Sequence, residues 1–357
     1  MIIDIVKIAL PATVAFALGI GLTPLLTHYL YKYKAWKKVP GKKAGLGGGA
    51  TPIFNELHKT RETGTPRMGG IVIWASACVT IVGFWLLARI FPLDIFLKLD
   101  FLSRDQTWIP LATLAVGACV GLIDDILEIS GKGSGAGGFA LSKRLLIVSF
   151  IALLVGLWFF FKLDVTALGL PYAGEISVGW LIVPFFILVT LAFYASGVID
   201  GIDGLSGGVF AAIFAAYAGI AFYQQQINLA AFGATVVGGI LAFLWFNIPP
   251  ARFYMSETGT MGLTLTLAVV AFMTDSLGGG HGVFVLPIVA FPLVVTVLSD
   301  VIQIVSKKMR GGKKVFLVAP LHHHFEALGW PGYKVTMRYW VISVVCAVLG
   351  LIIALIG

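Results

Sequence analysis

Long apolar segments alternate with short polar ones along this chain, and ten of the apolar segments are long enough to cross a membrane. A membrane-spanning helix needs about 20 mostly apolar residues. Each span should be helical, because an open strand would leave its backbone groups without hydrogen-bond partners in lipid, and the alternation typical of an outer-membrane strand is absent. The predicted spans are residues 6–30, 68–91, 107–124, 145–162, 178–198, 207–223, 229–246, 260–276, 282–305 and 338–356.

The composition agrees with an integral membrane protein. Of the 357 residues, 59% are hydrophobic and only 12% are charged, whereas a soluble protein has about 25% charged residues. The mean hydropathy is +0.96. We therefore predict an all-α polytopic bundle that forms a single membrane domain over residues 1–357.

The distribution of positive charge predicts the orientation of this bundle. Twenty of the 25 Lys and Arg residues lie in the loops that follow the odd-numbered spans. Because positively charged loops remain in the cytoplasm, these loops should be cytoplasmic and both termini should lie outside. The polar segments on this side, which would form an active site, are residues 31–67, 124–144, 199–208, 246–260 and 306–337.

Two pairs of carboxylates lie on this predicted side. Asp124 and Asp125 end the third span, with Glu128 close behind, and adjacent carboxylates repel each other unless a cation neutralises them. Mg²⁺ typically takes one or two carboxylates together with substrate phosphates, although a solvated helix end is the alternative. Asp200 and Asp203 are interleaved with glycines, which let a backbone approach a ligand closely; a seam of small residues between helices would not explain these acids.

The segment around residues 246–260 combines Asn247 and Arg252 with the acid Glu257. Ser256 or Thr258 could cap the eighth span, and free N–H groups at a helix start can bind an anion. Arg252 could pair with a phosphate. A capped turn alone would not explain Asn247 together with Glu257.

Three adjacent histidines, His322, His323 and His324, lie in the longest polar interruption of the C-terminal half. Together with the carboxylates, glycine-rich turns and basic residues, they favour the transfer of a phosphorylated group to a membrane-held acceptor, since such transfer depends on positioning and charge neutralisation. A transporter with carboxylate ion sites is one alternative, for which Asp275 and Asp300 are the relevant acids. A non-catalytic membrane scaffold is another.

Five motifs resemble, in order along the chain, those of the polyprenyl-phosphate N-acetylhexosamine-1-phosphate transferases. The histidine motif, followed by Gly329, Trp330 and Lys334, is similar within that family to the phospho-N-acetylmuramoyl-pentapeptide transferase (MraY) type. The five are Gly-Thr-Pro-x-Met-Gly-Gly at 64–70, Asp-Asp at 124–125, Asp-Gly-x-Asp-Gly-Leu at 200–205, Phe-Asn-x-x-Pro-Ala at 246–251 and Pro-Leu-His-His-His-Phe-Glu at 320–326.

The resemblance implies a reaction. Phospho-MurNAc-pentapeptide would pass from UDP-MurNAc-pentapeptide to undecaprenyl phosphate with Mg²⁺, giving lipid I and UMP at the cytoplasmic face of a bacterial inner membrane. A transferase for UDP-N-acetylglucosamine is the alternative within the same chemistry, and the histidine motif argues against it. The resemblance leaves the oligomeric state open, with a homodimer among the possibilities.

The resemblance also implies roles for individual residues. Asp124 and Asp125 match an aspartate pair of which one is thought to deprotonate the lipid phosphate. Glu257 stands at the position usually assigned to the metal. The resemblance therefore implies that the catalytic residues and metal ligands are Glu257, Asp124 and Asp125. The expected substrate-binding residues are Asp200, Asp203, Asn247, His322, His323 and His324, with Lys132, Lys143, Arg144 and Arg252 as candidates for phosphate contact.

At several positions the chain departs from the family pattern. Glu257 replaces the usual Asp, Glu128 stands where many members have Lys, and Arg67 stands where Thr is common. Tyr194 and Gly197 lie near the places of two Asn residues. A divergent active branch, a changed donor and an inactive paralogue are the interpretations that these differences allow.

Overall fold

The computed structural model describes residues 2–38, 63–103, 105–133, 138–275, 277 and 279–356, and within these ranges nearly all regular structure is helical. The predicted polar segment 31–67 therefore lies partly outside the described residues. The helices are α1 Ile2–Lys32, α2 Ile71–Ile90, α3 Asp94–Leu99, α4 Trp108–Ser130, α5 Leu141–Lys162, α6 Ile182–Ala195, α7 Leu205–Tyr223, α8 Ile227–Asn247, α9 Ser256–Met273, α10 Gly282–Val289, α11 Phe291–Met309, α12 Leu321–Ala327 and α13 Gly332–Ile356, with 3₁₀ turns at Gly179–Leu181 and Ser196–Ile199.

The helices confirm the predicted fold class. In the described part of the chain, nine helices are long and apolar enough to cross a membrane, and each matches one predicted span. The tenth prediction, residues 282–305, corresponds to α10 and α11, which are bent by 71° at a short break. Pro292 stands at the start of α11, where its missing N–H cannot continue the hydrogen bonding of the preceding helix.

Helix α9 occupies the centre of the bundle. Glu257 is the single residue of α9 that is not buried. Glycines allow α4 to approach α9 closely: a Cβ placed on Gly121 would lie 2.1 Å from the backbone oxygen of Glu257, and one on Gly262 would lie 3.1 Å from the oxygen of Leu114. Small residues permit such close packing of membrane helices. The contact holds the start of α9 against the last turns of α4.

A short hairpin lies near the opposite end of α9, and the sequence did not predict it. Strand β1, Ala167–Leu170, pairs antiparallel with β2, Gly174–Ser177. Asp275, just after α9, accepts hydrogen bonds from the backbone N–H groups of Gly169 at 2.7 Å and Val283 at 2.9 Å. Asp275 thus joins the hairpin to α10, and this structural role accounts for an acid that had suggested a transporter.

The environment of Asp275 gives a testable pH dependence. Burial raises its pKa to about 6, although the two backbone hydrogen bonds act in the opposite direction. An unfolded aspartate titrates near about 3.9, so the folded protein binds the proton more tightly. The free energy of unfolding contributed by Asp275 is therefore greatest below about pH 4 and is lost as the pH rises through about 6. Thermal unfolding in detergent should show a weaker pH dependence for Asp275→Asn; equal slopes would contradict the assignment.

Candidate active site

The first turn of α9 joins two carboxylates that are far apart in sequence. The Ser256 N–H donates to Asp200 Oδ2 at 2.7 Å. Thr258 donates to Asp125 Oδ2 through both its N–H, at 2.9 Å, and its hydroxyl, at 2.6 Å. The prediction that Ser256 or Thr258 caps this helix is wrong, since neither side chain makes a cap hydrogen bond. The distant Asp200 and Asp125 accept from the helix N–H groups instead, where the helix dipole favours negative charge.

Arg144, at the start of α5, connects two further carboxylates. Its Nη2 lies 2.8 Å from Asp124 Oδ2, and its Nη1 lies 2.8 Å from Glu257 Oε1. Asp124 is fully buried, and its other oxygen accepts a hydrogen bond from the Phe139 N–H at 2.7 Å. Both oxygens of Asp124 are therefore occupied. Tyr194, at one position that departs from the family pattern, also lies beside Arg144.

Arg67 forms a second arginine contact, with two other carboxylates at the end of α4. Its Nη2 and Nη1 lie 3.2 Å and 3.3 Å from the two oxygens of Glu128, and its Nε lies 3.6 Å from Asp125 Oδ1. Lys37 also contacts Glu128, at 3.4 Å. Burial opposes the charge of Arg67, but the surrounding carboxylates outweigh it and raise its pKa. Two residues that depart from the family pattern, Arg67 and Glu128, are thus each other's ion-pair partners.

Close backbone packing fixes the position of Arg67. The following residue, Met68, has a φ of 67°, and a Cβ on Gly70 would lie 2.3 Å from the backbone nitrogen of Gly259. A residue with a side chain at position 70 would push the entry of α2 away from α9. The glycine-rich motif therefore serves as a contact between helix ends, which brings Arg67 to the carboxylates.

The glycine-rich turn at Asp200 carries the histidines. A Cβ on Gly201 would lie 2.7 Å from His322 Nε2 and 2.6 Å from His323 Nε2. Both histidines are buried, and His323 Nδ1 lies 2.8 Å from Glu326 Oε2. The structure thus brings two of the predicted histidines directly against the turn that carries the predicted substrate-binding residues Asp200 and Asp203.

Asp200 itself is held by hydrogen bonds on both of its oxygens. Ser206 donates to Oδ1 at 2.7 Å, and the Ser256 N–H occupies Oδ2. Burial raises the pKa of Asp200, and these two hydrogen bonds act against that shift. Asp203 lies in the same turn and accepts a hydrogen bond from the Ala251 N–H at 3.1 Å.

Asn247 connects the turn at Asp203 to the segment before α9. Its Oδ1 accepts from the Gly204 N–H at 2.9 Å, and its Nδ2 donates to the Phe253 carbonyl at 2.8 Å. With 1% of its surface exposed, Asn247 has a structural role that the sequence did not indicate. Asn247 therefore fixes the turn at Asp203 relative to the segment that precedes α9.

The remaining predicted residues lie further out. Lys132 and Lys143 are exposed, and Arg252 is exposed with its guanidinium 5.4 Å from the centre of the Phe246 ring. His324 Nδ1 accepts a hydrogen bond from the Leu317 N–H at 3.2 Å. Their predicted contacts with substrate stay predictions.

One group of acids in the described ranges can hold a metal ion. Ligand oxygens of Asp124, Asp125 and Glu128 lie within 4.8 Å of one another. Two of these residues were predicted as ligands and Glu128 was not, whereas the third predicted ligand, Glu257, is outside this group and is bound by Arg144. Carboxylate oxygens suit Mg²⁺, and the buried Asp125 Oδ1 receives no hydrogen bond among the described residues, with Arg67 Nε in ion-pair contact at 3.6 Å. The residues present therefore fit a divalent cation.

Three more buried polar atoms in this region have no hydrogen-bond partner within the described chain. They are the Nε atoms of Arg67 and Arg144, and the Oγ of Ser256. Buried polar groups are nearly always hydrogen-bonded, so exceptions indicate a ligand, an ion or water. The sequence interpretation missed Arg67 and Ser256, although the opposite charges at positions 67 and 128 were a signal that these positions are paired.

The Arg67–Glu128 contact predicts a measurable coupling. Arg67→Ala and Glu128→Ala should each lower the free energy of unfolding. The loss in the double variant should be smaller than the sum of the two single losses by about 0.5–3 kcal/mol. The exposed pair Asp94 and Lys98 on α3 is the matched control, where a cycle should give at most about 1 kcal/mol. Strict additivity at Arg67 and Glu128 would contradict the pairing.

Comparison with known proteins identifies the class and then the family. Residues 107–275, which include α4 and α9 with their carboxylates, match glycosyl transferase family 4. The chain is 31% identical to the phospho-N-acetylmuramoyl-pentapeptide-transferase of Chloroflexus aggregans, over 99% of this chain and 91% of that protein. It is 30% identical to that of Chloroflexus aurantiacus, with the same coverage, and 28% identical to that of Listeria monocytogenes, over 96% of each chain. The chain belongs to the phospho-N-acetylmuramoyl-pentapeptide transferase family, which confirms the resemblance of its motifs.

Proposed function

We propose that this chain transfers phospho-MurNAc-pentapeptide from UDP-MurNAc-pentapeptide to undecaprenyl phosphate, giving lipid I and UMP. The observation that carries the proposal is the convergence at the start of α9 of Asp124, Asp125 and Asp200 with Arg67 and Arg144. The full-length similarity to transferases named for this reaction supports it. The charge distribution of the loops further supports an active site that faces the cytoplasm of a bacterial inner membrane.

Asp125 is the acid that we assign to the lipid phosphate. Both oxygens of Asp124 are occupied by Arg144 and Phe139, whereas Oδ1 of Asp125 receives no hydrogen bond within the described chain. Its contact with Arg67 Nε, at 3.6 Å, is too long for a hydrogen bond. Asp125 Oδ1 can therefore take the proton of undecaprenyl phosphate, whose oxygen then attacks the phosphorus next to MurNAc. The new P–O bond replaces the pyrophosphate bond, and UMP leaves with the electron pair.

The two arginines would bind the phosphates of the donor. Arg144 Nε has no hydrogen-bond acceptor among the described residues, and Arg67 Nε has an ion-pair contact of 3.6 Å with Asp125 Oδ1 that is too long for a hydrogen bond. A guanidinium matches the geometry of a phosphate group. Mg²⁺, held by the group of Asp124, Asp125 and Glu128, would supply neutralisation of the pyrophosphate charge when bound. Glu257, as a further ligand, remains part of this proposal.

The turn at Asp200 and Asp203 would hold the nucleotide end of the donor. The contact between Gly201 and the rings of His322 and His323 leaves no space for a side chain, so the turn and the histidines act as one surface. Lys132 and Lys143, which are exposed, would attract the charged substrates.

The decisive experiment is UMP release by the purified protein in detergent, with undecaprenyl phosphate and Mg²⁺. UDP-MurNAc-pentapeptide and UDP-N-acetylglucosamine should be supplied in parallel, with EDTA as the control. We expect metal-dependent release with the muramoyl donor alone. Release with the N-acetylglucosamine donor alone would support the transfer reaction but refute the muramoyl donor. No release with either donor from a folded preparation would refute the proposed transferase activity.

A further inference from the structure

The backbone of Ser256 has a conformation that its residue type does not favour. Its φ is 58°, in the left-handed region that glycine adopts readily and L-residues rarely do. Ser256 is also buried, with 4% of its surface exposed. Strained residues of this kind are concentrated at ligand sites. Glycine would fit here without strain, so serine must be explained by its hydroxyl.

The hydroxyl of Ser256 makes no hydrogen bond within the described chain, although its backbone is fully used. Its N–H donates to Asp200 Oδ2, and its carbonyl accepts from the Thr260 hydroxyl at 3.1 Å. The buried Oγ has no such partner, and an unpartnered buried hydroxyl is costly. A bound ligand that offers a hydrogen-bonding atom would remove this cost.

The neighbouring groups define what that atom must be. Two nitrogen atoms of the site that make no hydrogen bond within the described chain, Nε of Arg144 and Nε of Arg67, are donors and carry positive charge, and Arg67 Nε has only a 3.6 Å ion-pair contact with Asp125 Oδ1. A ligand shared by these donors and a hydroxyl must present anionic acceptor oxygens. Because the Ser256 amide is bonded to Asp200 on the proposed nucleotide side, these oxygens belong to the nucleotide donor and not to the lipid phosphate.

We propose that the Ser256 hydroxyl donates a hydrogen bond to a phosphate oxygen of the bound nucleotide donor. This inference rests on the proposed function. It assigns Ser256 as a substrate-contacting residue that selects the pyrophosphate part of the donor. The strain at φ 58° is then retained because the contact requires a side chain at this position.

Two substitutions separate the contact from the strain. Ser256→Ala removes the hydroxyl and keeps the Cβ, whereas Ser256→Gly removes both. We expect each to raise KM for UDP-MurNAc-pentapeptide about tenfold, as for one lost hydrogen bond to a charged group, with KM for undecaprenyl phosphate unchanged. Ser256→Gly alone should also raise Tm, since it relieves the strain.

Thr266→Val is the matched control. Thr266 is a buried hydroxyl on the same helix, and it donates to the Gly262 carbonyl at 2.7 Å, away from the site. This variant should leave both KM values unchanged. Unchanged donor KM in Ser256→Ala and Ser256→Gly, with an active wild type, would refute the contact while the proposed function stands.

Calorimetric titration with UDP distinguishes the two possible failures. If the wild-type protein binds UDP but shows no transfer, weaker binding by both Ser256 variants would support the contact although the proposed reaction fails. Equal UDP binding by wild type and variants would refute the contact. Absence of UDP binding by the folded wild-type protein would refute both proposals.

Discussion

Asp125→Asn is expected to abolish turnover while the protein still folds. The asparagine oxygen can accept the two hydrogen bonds that Thr258 now donates to Oδ2, so the junction between α4 and α9 should persist. The variant loses the negative charge and the proton acceptor at Oδ1, the oxygen that no described residue supplies with a hydrogen bond. Loss of a positioned acid or base typically costs about 10²–10⁴ in rate. UMP release and Tm, measured on the same preparation, test both parts.

Asp94→Asn is the matched control for this substitution. Asp94 is an exposed aspartate on α3, paired with Lys98, and its removal should leave UMP release unchanged. Wild-type turnover by Asp125→Asn would refute the role of Asp125. A large fall in Tm together with the loss of activity would assign Asp125 to folding instead, because its contacts with Thr258 and Arg67 would then have required the carboxylate.

Hydropathy predicted the helices well because lipid imposes one simple requirement on each span. It did not predict the 71° bend between α10 and α11, since a broken apolar segment has the same hydropathy as a straight one. The hairpin Ala167–Leu170 with Gly174–Ser177 was also missed, because its strands have only four residues each. Such short strands show no clear alternation, and their position depends on Asp275, which is distant in sequence.

The sequence selected many of the residues that the structure brings together at the start of α9, but it did not indicate how they pair. The polar segments could be assigned to one side of the bundle from charge alone, and the structure brings Asp125 and Asp200 to the same helix start. Arg144 pairs with both Asp124 and Glu257, which are 133 positions apart in the sequence. No local sequence pattern indicates contacts over such a separation. The cap of α9 was mispredicted for the same reason, since its acceptors are distant in sequence: Asp125 lies on α4 and Asp200 lies in the turn before α7.

Gly121→Ala is expected to have the largest effect on stability. Its Cβ would lie 2.1 Å from the Glu257 carbonyl oxygen and 2.9 Å from the Thr258 nitrogen, and these backbone atoms cannot rotate away as a side chain could. Overpacking of this kind typically costs about 1–3 kcal/mol, and occasionally more. Relief requires α4 to move away from α9, and a displacement of about 1 Å can lower turnover about 10²-fold.

Gly83→Ala, on α2, isolates the effect of close packing from that of glycine itself. No atom lies within 4 Å of a Cβ at position 83, so alanine there should stabilise the helix by about 0.5–1 kcal/mol. The two variants make the same chemical change in two transmembrane helices and should shift Tm in opposite directions. Because Asp124 and Asp125 lie one turn beyond Gly121 on α4, only Gly121→Ala should also reduce UMP release. A stable and fully active Gly121→Ala protein would show that the α4–α9 contact does not position these carboxylates.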